Sequence, residues 1–297
     1  GIAMSSDYTL VGLGEILWDM LPDGKKLGGA PANFAYHAQA LGCKGVVVSC
    51  VGDDDLGREI LNSLEELGLD RRYIAIDPHH PTGTVTVKLD ENGVPDFTIH
   101  ENVAWDFIPF DQKLADLAGE ADAVCYGSLC QRSEVSRDTV RRFLDATRPG
   151  CIRIYDINIR QHYYSGEIVA DMLDHSTVLK LNDDELPIVA ELLDIEGSES
   201  DILARLRERF ELELVVLTKG AHGSRLYGKE KDSTCEGIPP EKIADTVGAG
   251  DAFTAVVAVG LLKGEDLDEI NEHANRVASY VCSQSGATPK LPDELVR

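Results

Sequence analysis

Asp245-Thr246-Val247-Gly248-Ala249-Gly250-Asp251-Ala252-Phe253 is the stretch on which the reading of this chain turns. Gly248 and Gly250 let the backbone turn tightly and bring its N–H groups close to a ligand. The run from Ala252 to Leu262 has no proline and no charge before Lys263, which predicts a helix buried on most sides. A glycine turn opening such a helix aims unpaired amides and the positive end of the helix dipole at one point, a ready anion site. Asp251 sets a carboxylate beside that point. On the residues alone two readings stay open. Asp251 is a first-turn acid favoured by the dipole, or it takes a proton from a nucleophile attacking a phosphoryl group held at the turn. So close to a helix N-terminus, it is expected to be a weak base.

The chain around this stretch has 297 residues, 43% of them apolar, enough for one large α/β domain with a small addition. Its 28 basic and 52 acidic side chains leave a formal charge of −24. That argues against nucleic acid and against an anionic membrane as partners, since both need clustered Lys and Arg. Cys43, Cys50, Cys125, Cys130, Cys151, Cys235 and Cys282 form no Cys-x-x-Cys pair, and the odd count suits a reducing cytoplasm. No apolar run reaches the roughly 18 residues of a membrane span and no leader pattern opens the chain. The expectation is a cytoplasmic protein. Gly1-Ile2-Ala3, ahead of Met4, is set aside as an expression remnant.

From the N-terminal end, residues 8–14 read as a core strand. Gly12-Leu13-Gly14 lacks the third glycine of a dinucleotide fingerprint, because Leu17 stands there. Residues 15–19 continue extended, with Asp19 at the polar end, before the turn-forming Pro22-Asp23-Gly24. Gly28 and Gly29 permit close approach to a ligand and lead into a helix over 32–41. Asn33 there either caps the helix or offers a ligand both donor and acceptor. Val46–Val51 reads as a buried parallel strand, and Gly52-Asp53-Asp54-Asp55 as a capped entry to a helix over 56–67 rather than a metal site.

From Thr82 to Ile99 apolar and polar residues alternate around Glu91-Asn92-Gly93, an antiparallel hairpin expected to join residues 15–27 in a small sheet. Strand–helix alternation then resumes. Strands are predicted over 123–126, 152–156, 177–181 and 212–218, with helices near 134–147, 185–193 and 201–210. Repeated βα units imply a mostly parallel sheet with ligands at the carboxyl ends of its strands.

The nonapeptide resembles the second signature of the ribokinase-like (phosphofructokinase-B type) carbohydrate kinases, whose catalytic Asp ends a Gly-Ala-Gly-Asp turn. The family's other signature is matched by Gly28-Gly29-Ala30-Pro31-Ala32-Asn33, running on to Gly52-Asp53-Asp54-Asp55-Leu56-Gly57. Two motifs in family order make the resemblance cover nearly the whole chain. It implies an α/β ribokinase-like fold with an α/β core (4–14, 28–81 and 105–297) and a β-sheet lid (15–27 and 82–104). It also implies an ATP-dependent kinase using Mg²⁺, a sugar and ATP as small-molecule partners, and a homodimer formed through the lid.

By the same resemblance, the turn opened by Gly248 would hold the γ-phosphate over the amides of Ala249, Gly250 and Asp251, and Asp251 would take the sugar proton. Asp19, Gly28, Gly29, Asn33, Glu101, Asn102 and Arg160 would contact sugar; Asp156-Ile157-Asn158-Ile159-Arg160 is like the Asp-x-Asn-x-Arg segment of fructokinases. Asn182 and Glu185 match an Asn-x-x-Glu motif associated with Mg²⁺, Glu185 acting through water, although the same residues also read as a capping box. Thr218, Lys219 and Gly220 would lie by the nucleotide phosphates, and Asn275 and Ala278 by adenine. Asp245, Thr246 and Gly286 would hold a monovalent cation, K⁺, through oxygen atoms.

The Gly-Glu start, the Gly-Gly-Ala-Pro-Ala-Asn-Phe turn and the Arg160 segment resemble fructokinases more than ribokinases, implying D-fructose phosphorylated at a primary hydroxyl. Gln161-His162-Tyr163-Tyr164 and Glu101-Asn102 depart from that pattern. A 2-keto-3-deoxygluconate kinase is the rival within the family, with Arg160 as the evident base for an acidic sugar. A catalytically silent binding protein is the rival of another class; its usual mark, a degraded glycine turn, is missing here.

Overall fold

The computed structural model describes residues 7–296; Gly1–Ala3, set aside above, and residues 4–6 and 297 lie outside the described residues. A nine-stranded sheet forms the centre. Its strands are β1 (Thr9–Leu13), β4 (Lys44–Gly52), β5 (Ile74–Asp77), β8 (Ala123–Tyr126), β9 (Ile152–Asp156), β10 (Val178–Asn182), β11 (Leu214–Thr218), β12 (Ser224–Gly228) and β13 (Asp232–Cys235). The spatial order is β13-β12-β11-β10-β9-β8-β1-β4-β5. Pairing from β5 to β11 is parallel, and β12 and β13 close one edge antiparallel. Val46, Val47, Val48 and Val51 are all buried, as a strand covered on both faces requires.

Helices cover both faces. On one lie α1 (Ala30–Ala40), α8 (Ala249–Leu262) and α9 (Leu267–Cys282), where Phe34, Phe253, Val256 and Val277 meet Leu10, Val178 and Leu214. On the other lie α3 (Gln112–Glu120), α4 (Glu134–Asp145), α5 (Gly166–Asp174), α6 (Glu185–Leu192) and α7 (Glu199–Arg209). α2 (Asp55–Glu66) packs Ile60 and Leu64 on Val47 and Val51. As expected, an acid caps its start: Asp54 accepts from the Gly57 amide at 2.8 Å and from Thr82 Oγ1 at 2.6 Å. Gly12 has a packing role. A methyl group there would sit 2.1 Å from the Pro31 carbonyl oxygen, so the bare residue lets α1 lie directly on β1.

The small sheet has the order β3-β2-β6-β7, from β2 (Leu17–Leu21), β3 (Gly24–Gly28), β6 (Gly83–Leu89) and β7 (Pro95–Ile99). Two antiparallel hairpins meet along β2 and β6, which pair parallel because each leaves a parallel strand of the main sheet. Asp19 lies in the middle of β2, paired with Lys26 and Val85, not at its end as predicted, because the strand runs on to Leu21. No helix among the described residues is long and apolar enough to cross a membrane.

Candidate active site

The carboxyl ends of β1, β9 and β10 open into a cleft of about 700 Å³ between the main sheet and the small sheet. α8 enters it from below. Gly248, the residue before its first turn, has φ 82°, and a side chain there would collide with Ala287, so glycine is required on both counts. The first-turn amides have no helix carbonyl to bond; that of Ala249 reaches only the Thr246 oxygen, at 3.4 Å. Asp251 sits in this turn, and Asn33 of α1 donates to its Oδ2 at 3.0 Å. Asn33 is therefore not a cap: α1 begins two residues earlier than predicted, its cap position is Gly29, and the amide is turned to the carboxylate.

Asp251 is not the weak base expected from its place on the helix. Burial, then the nearby Asp156 carboxylate, raise it to about 6 against the pull of Asn33, Lys180 and Arg160. Asp251 is half-buried at the cleft floor, and the desolvation it meets there outweighs the dipole. Glu15, the residue after Gly14, is 4% exposed and is pushed to about 7, first by burial. Asp19, half-buried on β2, is also raised by burial, with Arg160 opposing.

Lys180 is the main residue missed by sequence reading. It lies in β10 with 8% exposure, Nζ 3.2 Å from Asp156 Oδ2. A methyl group on Gly250 would sit 3.1 Å from the same Nζ, so a buried cation stands directly behind the anion turn. Burial pushes Lys180 down, but Asp156, Asp251 and Glu185 together leave it raised and charged. A signal existed: a lysine inside the apolar run of residues 177–181 needs a buried partner.

The cleft brings together Asp19, Gly28, Gly29, Asn33, Arg160, Asn182, Glu185, Thr246, Gly248, Gly250 and Asp251. Glu185 makes the reciprocal cap predicted for it: its Oε1 accepts from the Asn182 amide at 2.9 Å, and its own amide donates to Asn182 Oδ1 at 2.8 Å. Its Oε2 accepts from the Ile159 amide at 2.7 Å. Each oxygen keeps a lone pair for a hydrated ion, so Asp156, Asn182 and Glu185 fit Mg²⁺ held largely by water and nucleotide. Asp245 joins the turn to a later loop, accepting from Val247 and Gly286 amides at 2.9 and 3.3 Å.

Other predicted residues fall elsewhere. Glu101 and Asn102 line a second cavity of about 630 Å³, on the far side of the wall that ends at Ile99. Glu101 accepts from Tyr163 Oη there at 2.9 Å, so the chain past Ile99 turns from the cleft. Asn275 is 7% exposed and spends its amide hydrogens on Ser224 Oγ and the Asn271 carbonyl, so only its Oδ1 acceptor is left for a ligand. Ala278 is partly buried against the helices on the same face of the sheet. Thr218 ends β11 beside the cleft-lining Asn182 and opposite Ser224, Lys219 pairs with Glu199 at 2.7 Å, and Gly220 opens a short turn; none of the three lines the cleft itself.

An amide turn backed by a buried lysine, facing a carboxylate on the side where a sheet overhangs, defines a phosphoryl-transfer enzyme of ribokinase-like fold. The chain belongs to the pfkB family of carbohydrate kinases, whose description matches residues 23–294. It is 30% identical to a sugar kinase of Pyrococcus horikoshii over 97% of this chain and 94% of that protein. The crystal structure of that uncharacterized kinase in complex with ATP superposes with a TM-score of 0.79, covering 95% of this chain and 94% of the other. A fructokinase of Klebsiella pneumoniae is 33% identical over 84% of this chain and 83% of its own. The fructokinase of Vibrio cholerae O395, solved with fructose, ADP and calcium ion, is 26% identical with a TM-score of 0.81 over 98% of both chains.

Proposed function

We propose that this carbohydrate kinase transfers the γ-phosphoryl group of ATP to a primary hydroxyl of D-fructose, giving fructose 6-phosphate and ADP. The observation that carries the reading is Asp251, a carboxylate raised to about 6 beside the first-turn amides of α8. Ionised at neutral pH yet more basic than an ordinary aspartate, it accepts the hydroxyl proton as the oxygen–phosphorus bond forms and the bond to ADP breaks. The amides of Ala249, Gly250 and Asp251, with Lys180 behind them, balance charge on the transferring group. Mg²⁺, when bound, neutralises charge on the β- and γ-phosphates; K⁺ beside Asp245, Thr246 and Gly286 would stiffen the turn.

The neutral sugar is favoured over 2-keto-3-deoxygluconate by charge. Asp19 and the partly ionised Glu15 line the sugar side of the cleft against Arg160, so an added substrate carboxylate finds no net attraction there. Both carboxylates offer paired acceptor oxygens to sugar hydroxyls. The small sheet is the lid; closing it excludes water that competes for the phosphoryl group. Its exposed Leu89 and Val94 suit a homodimer contact. ATP-coupled catalysis in the cytoplasm completes the reading.

The test is ADP release from Mg-ATP with fructose, ribose, 2-keto-3-deoxygluconate, tagatose 6-phosphate and adenosine, with and without K⁺. Turnover on fructose alone is expected. Turnover on another sugar keeps the mechanism and discards fructose, whereas silence with ATP bound favours a binding protein.

A further inference from the structure

α1 carries Asn33, Tyr36 and His37 at the i, i+3 and i+4 spacing that places side chains on one helix face. All three reach toward the start of α8. Asn33 bonds Asp251 directly, as described. The other two hold the segment behind the turn: Tyr36 Oη donates to the Pro289 carbonyl at 3.0 Å, and His37 Nε2 lies 2.9 Å from the Ala287 carbonyl. A carbonyl only accepts, so Nε2 carries the hydrogen; burial, which lowers the imidazole to about 4, keeps the ring the neutral Nε2–H tautomer. His37 is fully buried, and its Nδ1 has no hydrogen-bond partner. An aliphatic side chain would fill that place without an orphaned nitrogen. What the imidazole adds is the bond to Ala287.

Ala287 is the residue on which the phosphate turn is folded. A methyl group on Gly248 would stand 2.6 Å from Ala287 Cβ and 2.9 Å from its carbonyl oxygen. Any drift of Ala287 therefore bears directly on Gly248, and through it on the amides that follow. We propose that His37 is a positioning residue: by holding the Ala287 carbonyl it keeps the Gly248 turn in the geometry that aims its amides at the transferring phosphoryl group. The inference rests on the kinase reading above.

His37→Leu keeps bulk but removes the donor; His37→Gln can place an N–H near the former Nε2 position. His37→Leu should lower kcat roughly 10- to 100-fold while the sugar KM changes by less than about twofold, because the lost interaction acts in the transition state. His37→Gln should recover most of the loss. In hydrogen exchange followed by mass spectrometry, the 248–251 amides should exchange faster in His37→Leu than in wild type or His37→Gln. That readout needs no turnover, so it separates failure of this inference from failure of the kinase reading. Should His37→Leu not fold, Tyr36→Phe, which cuts the parallel tie to Pro289, should speed the same exchange. Unchanged exchange in the variant that folds overturns the proposal. So does a kcat loss that His37→Gln does not mend, or one matched by an equal rise in sugar KM.

Discussion

Asn33 Nδ2 donates to Asp251 Oδ2 at 3.0 Å, tying α1, just past the Gly28-Gly29 turn, to the first turn of α8. The bond favours ionised Asp251, while burial and Asp156 favour the protonated form and leave it at about 6. A base must be ionised to accept a proton, so kcat/KM, which reports the free enzyme, should fall on the acid side with an apparent pKa near 6. Asn33→Leu removes an opposing influence and should move that limb to higher pH. The kcat/KM–pH profile of both enzymes decides it: a limb near 4 in wild type removes Asp251 as the titrating base.

The same raised carboxyl has a stability consequence. Its folded value of about 6 lies above the 3.8 of an unperturbed aspartate. The native state therefore holds the proton more tightly, and ionising Asp251 costs stability increasingly as pH rises from about 4 through 6. Asp251→Asn should lower turnover about 10²- to 10⁴-fold while retaining ATP binding. It should also melt higher than wild type at pH 8, by about 1–2 kcal/mol, with little difference at pH 4. A variant that melts lower at pH 8 would show that the charge is not under strain.

Much of this architecture was legible before the coordinates. The α8 turn, the buried strand of residues 46–51 and the hairpin around Glu91-Asn92-Gly93 each carry a local signal in glycine placement or apolar period. What escaped depends on where a side chain points after an element ends. Glu101 lies just two residues past Ile99, yet the chain turns between them, so one lines the cleft and the other a separate cavity. Asn275 was expected by adenine, and its bond to Ser224, 51 residues away in sequence, carries no local signal. Asp251's basicity was misjudged because the helix dipole is a local feature and its burial beside Asp156 is not.

Lys180 and Asp156 make a buried ion pair at 3.2 Å, with side-chain exposures of 10% and 7%. Removing one partner leaves the other charge uncompensated, a loss of about 3–5 kcal/mol in comparable pairs. Lys180→Met should therefore melt well below wild type. Lys180 also lowers the pKa of Asp251, so the acid limb of the kcat/KM profile should move to higher pH in the variant. At saturating ATP the variant should lose roughly 10²- to 10³-fold in kcat, the scale of removing a transition-state charge donor. A drop in stability with kcat and the kcat/KM profile intact would leave the lysine a purely structural partner.

The β6–β7 hairpin carries an apolar tip that bears on assembly. Leu89 and Val94 stand 59% and 56% exposed at the end of the β6–β7 hairpin, an apolar tip on a strongly acidic chain. Exposed apolar groups at the edge of a small sheet mark a contact surface, and a closed two-fold pair is the simplest way to cover them. Light scattering should give twice the 32.3 kDa chain mass for the wild type. Leu89→Lys combined with Val94→Lys puts like charges across the pair and should give the chain mass alone. The double variant's far-ultraviolet circular dichroism should match wild type, since neither side chain enters the core. A double variant that still runs as a dimer would place the contact away from the lid; a monomeric wild type would remove it.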